Sequence, residues 1–230
     1  GLTATITPSS TSSKILLLAA SLVMFNSTSF SEVGIGVTGI IAKINAEGSE
    51  TEGTAADTST RNAEVDNVVA YGSIYLENTL DNGLTVGLEY VPFSADVSDA
   101  THERSDTSVA VSGEGVTGTN TRKADAEVEN FRTIYAEIPV KRMYLRVGFS
   151  QIDVNTKENA LTNGGTYGDA TLDGYNIGVG VKGTAPNGLN TKLSLEYVDF
   201  EDLSLSSSTN NSINADLDML NLKLAIGKSF

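Results

Sequence analysis

Charged residues of both signs recur on one face of several alternating segments in this 230-residue chain, interspersed there with Tyr, Ser, Thr and Gly. Charges that share a confined interior must pair, because a buried charge without a partner is costly. Four acids balance four bases, so the set predicts an internal charge network. Its members are Glu77, Glu89, Glu137, Glu196, Arg146, Lys182, Lys192 and Lys223. Such a network either forms a polar path for protons or ions, or fills the interior with salt bridges.

Catalytic chemistry has little material in this sequence. There is no Cys, which excludes disulfides and thiolate metal sites, and there is a single His. His102 lies in a polar segment far from any predicted strand, whereas an acyl-hydrolysing dyad needs a His held rigidly against its nucleophile. No predicted helix follows Gly34-Ile35-Gly36, so this is not a dinucleotide-binding motif. We therefore predict no catalytic residue, no cofactor and no metal ligand, and a protein that is not an enzyme.

The chain is strongly acidic, with a formal net charge of −14 and an isoelectric point near 4.4. This balance argues against nucleic acid as a partner, because phosphate backbones are bound by Lys and Arg. Carboxylates cluster in two polar segments, without the Asp-x-Asp-x-Asp-Gly spacing of a calcium loop. We interpret them as solvated surface charge, with loose divalent-cation binding as the alternative. They are Glu47, Glu50, Glu52 and Asp57 in the first segment, and Asp96, Asp99, Glu103 and Asp106 in the second.

Alternation with a period of two recurs along the chain and indicates β-strands with one apolar face. In the last stretch, Leu220, Leu222 and Leu224 share one face, whereas Asn221 and Lys223 lie on the other. The same pattern predicts eight strands in all. They cover about residues 33–44, 68–79, 84–93, 131–139, 143–152, 175–182, 192–197 and 219–230.

Long and short connections alternate strictly between these strands. Asp81-Asn82-Gly83 predicts a tight hairpin turn, because Asn and Gly tolerate positive φ. Residues 109–119 alternate enough to add a further pair of strands, which would raise the number to ten. The other short turns are at 139–142 and 185–188, and long loops are predicted near 47–66, 94–128, 153–174 and 203–214, where periodicity is absent.

Together these patterns predict an all-β fold, an eight-stranded antiparallel up-and-down β-barrel that crosses a membrane. The aliphatic faces would meet lipid, and the polar faces would line a lumen just wide enough for side chains. That narrow bore favours a core filled with salt bridges over an open conduit. Counting from the turn at 139–142 places Glu137 beside Arg146 on adjacent strands. Closure of the ring pairs the last strand with the first, near Val33, Ile35 and Val37.

A final strand with an apolar stripe that ends on Phe230 resembles the C-terminal signal of bacterial outer-membrane β-barrels. Residues 32–230 as a whole resemble the small OmpA-like and OmpW-like barrel families. The resemblance implies that barrel-assembly machinery reads Phe230, that both termini are periplasmic, and that the long loops are extracellular. Lys228 departs from the apolar stripe, at a rim where its long side chain can extend to the interface.

The amino-terminal segment is predicted to be removed before the barrel forms. Lys14 precedes an apolar run at 15–25 that is too short to span a bilayer and fits a secretory signal. We assign residues 14–31 to a signal peptide cleaved near Ser31, and 32–230 to the barrel domain. Residues 1–13 have no Met and no charge, and are interpreted as a non-native lead-in.

The resemblance implies a structural, surface or porin-like role in the outer membrane. Its surroundings would be lipid and lipopolysaccharide, bridged by divalent cations at the acidic loops. One alternative is an OmpW-like conduit for small molecules, which needs an apolar lumen, whereas the predicted inward residues are mainly polar. A second alternative is an outer-membrane lipid-modifying enzyme that uses His102, and a third is a soluble secreted β-protein.

Overall fold

A computed structural model of the chain shows the fold. The predicted lead-in and nearly all of the predicted signal segment, residues 1–29, lie outside the part that the structure describes, as do residues 108–118. The assignment of those segments therefore stays a prediction. Within the described part, no helix is long and apolar enough to cross a bilayer. The structure describes residues 30–54, 57–96, 102–107, 119–158, 166–207 and 211–230.

Antiparallel strands form a closed ring, and its order confirms the predicted eight-stranded up-and-down barrel. The strands are β1 (Phe30–Thr54), β2 (Asp57–Leu80), β3 (Thr85–Tyr90), β4 (Ala95–Asp96), β5 (His102–Thr107), β6 (Thr119–Val140), β7 (Met143–Glu158), β8 (Ala170–Thr184), β9 (Leu189–Phe200), β10 (Leu203–Ser206) and β11 (Ser212–Ser229). Around the ring the order is β1, β2, β3, β6, β7, β8, β9 and β11, and β11 pairs with β1 to close it. The short strands β4 and β5 pair with the part of β6 that precedes its ladder with β3, and β10 pairs with β11.

The seam between the first and last strands is fully paired, as the sequence predicts. Val37 lies opposite Ile226 in this ladder. At the end of this ladder near Phe230, the Phe230 amide donates to the Val33 carbonyl at 2.9 Å. The Val33 amide donates back to the Phe230 carbonyl at 3.3 Å. The Ser229 amide also donates to the carbonyl of Gly188, at 2.9 Å. The closing seam and the turn at 185–188 therefore lie at the same end of the barrel.

The three predicted short turns are present. Gly83 and Gly188 have φ values of 83° and 79°, which glycine adopts without a steric penalty. Lys141, in the turn between β6 and β7, has φ of 59°. Each turn joins two adjacent strands of the ring, so the order of the strands follows the order of the chain.

The two faces of the strands differ as expected for a barrel in lipid. Along β1, Val37 is 58% exposed, whereas the next residue, Thr38, is 5% exposed. Exposed aliphatic residues recur at every second position on neighbouring strands and form a continuous outer belt, far larger than the apolar patches of soluble monomers. Members of the belt include Ile35, Ile41, Ile74, Leu76, Val147, Ile177, Val179, Leu193, Leu195, Leu220, Leu222, Leu224 and Ile226.

Long parts of the predicted loops are in fact strands. The prediction of a loop at 47–66 is wrong, because β1 and β2 stay paired as far as Thr54 and Asp57. Likewise β6 begins at Thr119 and β7 continues to Glu158, well beyond the predicted ends. Beyond the apolar belt both faces of a strand are polar, so the sequence loses its alternation while the backbone ladder continues.

The lumen contains an apolar cluster that the sequence analysis did not predict. It lies towards the long-loop end, where the apolar face of several strands changes from outward to inward. On β9, for example, the exposed Tyr197 is followed by buried Val198, exposed Asp199 and buried Phe200. The expectation of a mainly polar lumen therefore holds for the turn end only. The buried members of the cluster are Ile40, Ala42, Ile44, Ile152, Val154, Leu172, Val198, Phe200, Leu217 and Met219.

Candidate functional site

The turn end of the lumen contains seven of the eight charged residues singled out in the sequence. They come from β2, β3, β6, β7, β9 and β11, and each is at most 7% exposed. Lys182 is the exception, because it is exposed near the turn end of β8. The structure therefore brings together four acids and three bases: Glu77, Glu89, Glu137, Glu196, Arg146, Lys192 and Lys223.

Arg146 is the centre of this network. Its Nη2 donates to Glu89, and its Nε lies 2.6 Å from Oε2 of Glu196. Its Nη1 is 3.8 Å from Glu137, the residue directly opposite on β6. The guanidinium also stacks on the ring of Tyr135, 3.6 Å from its centroid. Charge-assisted contacts and the cation–π contact together offset the cost of removing this cation from water.

Lys223 joins the same two carboxylates from the opposite side. Its Nζ donates to Glu89 at 2.6 Å and to Glu196 at 3.1 Å. Each of the two carboxylates also accepts a hydrogen bond from a neutral donor. The Ser73 hydroxyl donates to Glu89, and the Asn176 amide donates to Glu196 at 2.9 Å. Two cations and two carboxylates therefore form a balanced group.

Lys192 holds the other two carboxylates. Its Nζ donates to both oxygens of Glu137, at 2.9 and 2.8 Å, and to Oε2 of Glu77. The Tyr135 hydroxyl donates to the same oxygen of Glu77 at 3.1 Å. One cation therefore serves two acids, and this part of the network contains one more negative group than positive.

Three inward tyrosines cover the network, and glycines on neighbouring strands make room for them. A Cβ at Gly87 would collide with the ring of Tyr135, and one at Gly180 would collide with the ring of Tyr144. A Cβ at Gly36 would collide with the hydroxyl end of Tyr75 and with the backbone carbonyl oxygen of Ile226. The hydroxyl ends of the three rings therefore lie against backbone that has no side chain, and the rings fill the lumen around the cations.

Little free volume remains at this level. The cavity among the tyrosines and the charged groups measures about 10 Å³, which is about the space that one water molecule requires. A space of this size does not provide a continuous aqueous path. Chemically, the arrangement can hold charges and protons in place, and it can resist the separation of the strands that contribute to it.

A second polar group, which was not predicted from the sequence, lies on the outward face of the strands. Arg132 donates from Nε to Gln151 at 2.7 Å and from Nη1 to Asp153 at 3.2 Å. Gln151 donates in turn to Asp173 at 2.6 Å. These residues follow Phe149 and precede Tyr175 on the outward face, so they mark the upper edge of the apolar belt. The sequence does carry a signal for this group, because Gln151, Asp153 and Asp173 interrupt the outward aliphatic stripe.

Asp153 lies beyond the belt and is ionised more readily than an ordinary carboxyl. Partial burial alone would raise its pKa, but hydrogen bonds from Arg132 and from the Thr171 hydroxyl, at 2.8 Å, outweigh that effect. The pKa of Asp153 is therefore held below its usual value. The carboxylate is stabilised as the partner of Arg132.

Two other groups of candidate residues are His102 and the acidic residues of the long connections, among which Asp99 lies outside the described residues. The prediction that His102 lies in a loop is wrong, because its backbone begins β5 and pairs with Ala124. Of the acidic residues, Glu50 accepts a hydrogen bond from the Tyr167 hydroxyl at 2.9 Å. Within the described ranges, no group of three or more His, Cys, Asp or Glu side chains is arranged to hold a metal ion.

A closed antiparallel ring, an outer apolar belt and a lumen that side chains fill, polar at the turn end and apolar towards the long-loop end, define an outer-membrane β-barrel. No protein-family model matches the sequence, and no curated protein matches it. Several solved structures are similar in fold.

Three of these are bacterial outer-membrane proteins. OprG from Pseudomonas aeruginosa is 10% identical, with a TM-score of 0.48, over 88% of this chain and 97% of OprG. The protease OmpT from Escherichia coli is 9% identical, with a TM-score of 0.46, over 90% and 99% of the two chains. Ail, the attachment invasion locus protein of Yersinia pestis, is 13% identical, with a TM-score of 0.37, over 85% and 99%. The similarity is one of shape and carries no activity with it.

Proposed function

We propose that this protein is a non-conducting barrel of the bacterial outer membrane with a structural or surface role. The observation that carries the proposal is the charge network, in which three cations join four carboxylates from strands on all sides of the lumen. A path through the lumen at this level would require breaking several buried ion pairs. Removing one partner of such a pair costs about 3–5 kcal/mol.

A second obstruction supports the same conclusion. Above the charge network the lumen is occupied by the apolar cluster, in which Phe131 and Phe200 pack edge to face with ring centroids 6.0 Å apart. An ion that crossed the barrel would lose its hydration next to these rings. Charged and apolar layers in series therefore oppose conduction more strongly than either does alone.

The proposed orientation follows from the lengths of the connections. Outer-membrane barrels have short periplasmic turns and longer external loops. We therefore assign the three turns and Phe230 to the periplasmic side, and the extended β1–β2 and β6–β7 hairpins to the outside. There the acidic residues would face lipopolysaccharide, with divalent cations between the two, and Phe230 would contact the assembly machinery.

A role other than catalysis fits the composition. Within the described part of the chain, the buried acids and bases are engaged with each other. The single His begins β5, where its backbone partner on β6 is Ala124. A lipid-modifying enzyme would need that His to be held against a nucleophile. If the role is not catalytic, a His102→Ala variant should act on outer-membrane lipid no differently from the wild type.

Single-channel recording in planar bilayers tests the proposal. We expect no steady openings from the refolded wild-type protein, and discrete openings from a variant with Glu89→Ala and Arg146→Ala, which empties the middle of the network. The matched control is Lys182→Ala, which removes an exposed cation and should stay silent. Steady large openings of the wild-type protein would overturn the proposal.

A second candidate function, passage of small apolar molecules, is favoured by one observation. A cavity of about 50 Å³ lies among apolar side chains of the upper lumen, including Val69, Val91, Phe93, Phe131 and Met219. It adjoins the place where β2 and β3 separate, since their ladder spans only Ile74–Thr79 of β2. Phe93 is 65% exposed at this seam. The cavity therefore lies close to the lipid and is separated from the charge network.

Tryptophan fluorescence distinguishes this candidate, because the natural chain has no Trp. A Phe93→Trp variant reports on the seam, and Leu193→Trp reports on the lipid-facing surface, where Leu193 is 48% exposed. If the cavity admits apolar molecules, a brominated alkane should quench the seam Trp more strongly than the lipid-facing Trp. Equal quenching at both positions would exclude the conduit.

A further inference from the structure

The charges outside the lumen differ in sign between the two ends of the barrel. At the long-loop end acids predominate, and some lie directly opposite each other on adjacent strands, as Glu47 does to Asp216 and to Glu64. At the turn end, the described residues outside the lumen include four exposed cations and two acids, Glu32 and Asp81. The cations are Lys141, Arg142, Lys182 and Lys228. A chain with a net charge of −14 therefore has one end that is locally positive.

The four cations occupy one half of the rim at the turn end. Lys141 and Arg142 form the turn between β6 and β7. Lys182 lies near the end of β8, and Lys228 lies near the end of β11. Continuing the β7–β8 register by one residue places Arg142 beside Lys182. From β7 to β11 the ring passes through β8 and β9, so the cations extend over three inter-strand spacings, or about 15 Å.

Lys228 shows that this positive surface begins at the edge of the apolar belt. It continues the outward stripe of β11 and lies directly opposite Ile35 on β1 and Leu189 on β9, both of which are exposed. Its ammonium group is 5.3 Å from the centroid of the Phe230 ring. Within the described part of the chain, none of the four cations forms an ion pair. A long cationic side chain in this position can extend from the hydrocarbon to the headgroup layer.

We propose that this basic half-rim, formed by Lys141, Arg142, Lys182 and Lys228, binds the phosphate headgroups of anionic phospholipids in the leaflet around the turn end. The proposal rests on the outer-membrane role proposed above and gives the turn end a lipid partner. Each Lys or Arg near an anionic membrane surface strengthens binding about five-fold. The acids at the long-loop end repel the same headgroups, so the two ends of the barrel differ in the leaflet that they favour.

The position of Lys228 favours a lipid over a soluble partner. Its neighbours Ile35 and Leu189 belong to the outward apolar face, which hydrocarbon covers in a membrane. A soluble macromolecule does not reach that face, whereas the headgroup of a lipid that packs against it does. Met143 and Val181, which adjoin Arg142 and Lys182 in the chain, are exposed apolar residues as well. Acyl chains and phosphate of one lipid can therefore contact the belt and the half-rim together.

Quenching by brominated phospholipids tests this proposal, because the natural chain has no Trp. Leu189→Trp places a reporter beside Lys228, and Tyr175→Trp places one at the long-loop edge of the belt, directly opposite Asp199. The vesicles contain equal amounts of phosphatidylglycerol and phosphatidylcholine, and either one or the other is brominated. At Leu189→Trp we expect phosphatidylglycerol to bind about five-fold more tightly than phosphatidylcholine. At Tyr175→Trp we expect no preference for phosphatidylglycerol.

Charge variants of the Leu189→Trp protein identify the source of the preference. Lys228→Gln should lower the preference for phosphatidylglycerol, and replacing all four cations with Gln should abolish it. The matched control is Lys43→Gln, which removes an exposed cation paired with Asp66 at the long-loop end and should retain the preference. Heat-modifiable gel migration establishes that each variant is folded before its fluorescence is measured.

Three results would overturn the proposal. One is equal quenching by the two lipids at Leu189→Trp, which requires no charge variant to fold. Another is a preference that survives when all four cations are replaced. The third is a preference that inorganic phosphate abolishes and potassium chloride of equal ionic strength does not, which would assign the half-rim to free phosphate. Both leaflets have the same composition, so the result depends neither on the direction of insertion nor on conductance, and it is separate from the test of the non-conducting role.

Discussion

Glu137 and Arg146 lie directly opposite each other on β6 and β7, yet their charged groups are 3.8 Å apart and each has a closer partner elsewhere. Arg146 turns to Glu196 on β9 at 2.6 Å, and Glu137 turns to Lys192, also on β9, at 2.8 Å. Most close ion pairs in this lumen therefore cross the barrel, and Lys223 with Glu196 is the close pair on adjacent strands. Each cation contacts at least one acid on a strand that has no backbone hydrogen bonds with its own.

Replacing Arg146 with Met should destabilise the barrel strongly. The change leaves Lys223 as the one remaining cation for Glu89 and Glu196. We therefore expect the free energy of unfolding to fall by about 3–5 kcal/mol, as it does when one partner of a buried ion pair is removed. Urea titration in detergent, followed by heat-modifiable gel migration, measures the loss. Lys182→Met is the matched control, and it should stay within about 0.5 kcal/mol of the wild type because Lys182 is exposed. A similar stability for both variants would contradict the central role of Arg146.

Gly87→Ala should destabilise the barrel because the added methyl group collides with the ring of Tyr135. Overpacking of this kind costs about 1–3 kcal/mol. Gly72→Ala is the control, since its Cβ would meet no atom closer than 3.6 Å on the outward face. Thermal unfolding followed by near-ultraviolet circular dichroism of the tyrosines compares the two variants. If Gly72→Ala proved the more harmful, the proposed role of glycine in seating the rings would be wrong.

The pair of Asp153 and Arg132 should make stability depend on pH in the acid range. The pKa of Asp153 is lowered in the folded barrel, so its contribution is complete above the unfolded pKa of about 4 and is lost as the pH falls through the folded value. Asp153→Asn should therefore cost about 1 kcal/mol or less at neutral pH, given its partial exposure. The difference from wild type should disappear in acid.

Urea titrations at several pH values test this dependence. Asp66→Asn serves as the control, because the ion pair between Asp66 and Lys43 is more than half exposed at both partners. That variant should show no difference from wild type at neutral pH. If the free energy of unfolding of Asp153→Asn were lower than that of the wild type by the same amount at every pH, the loss would come from packing and not from the charge of Asp153.

Phe230→Ala should separate assembly in the cell from stability of the finished barrel. The Phe230 side chain is 74% exposed, whereas its backbone is bonded to Val33. Refolded protein should therefore unfold within about 0.5 kcal/mol of wild type. In cells, less protein should reach the heat-modifiable form, because the proposed recognition of Phe230 is lost. Phe93→Ala, at another exposed Phe, should assemble normally; equal yields for both variants would argue against Phe230 as a signal.

Much of the transmembrane part of this fold could be predicted from sequence, because the difference between lipid-facing and lumen-facing residues is largest there. Lipid on one side and a packed lumen on the other impose strict alternation, as at Leu222, Lys223 and Leu224. The turns were predictable for a related reason, since the Gly83 and Gly188 positions require positive φ. Seven of the eight residues of the predicted charge network also face one another, which follows from the same alternation.

The rest could not be predicted from alternation alone. Above the belt, β1 and β2 continue through polar residues, and a ladder with water on both sides produces no periodic signal. Lys182 has the correct alternation for the lumen but lies near the end of its strand, so it reaches solvent. The apolar cluster was missed because the alternation inverts, as at Asp218 between buried Leu217 and Met219. An inversion of this kind marks the level at which a strand leaves the lipid.

The pairing of β1 with β11 has a kinetic consequence. Gly34 and Ser229 are partners, so the final ladder joins segments nearly two hundred residues apart. Contacts of such high sequence separation form slowly, because the entropy of closing the intervening chain is lost before the contacts stabilise it. Until β11 arrives, one edge of β1 has open backbone hydrogen-bonding groups and is prone to aggregation. A chain with this topology therefore benefits from being kept apart from its own copies during transit to the membrane.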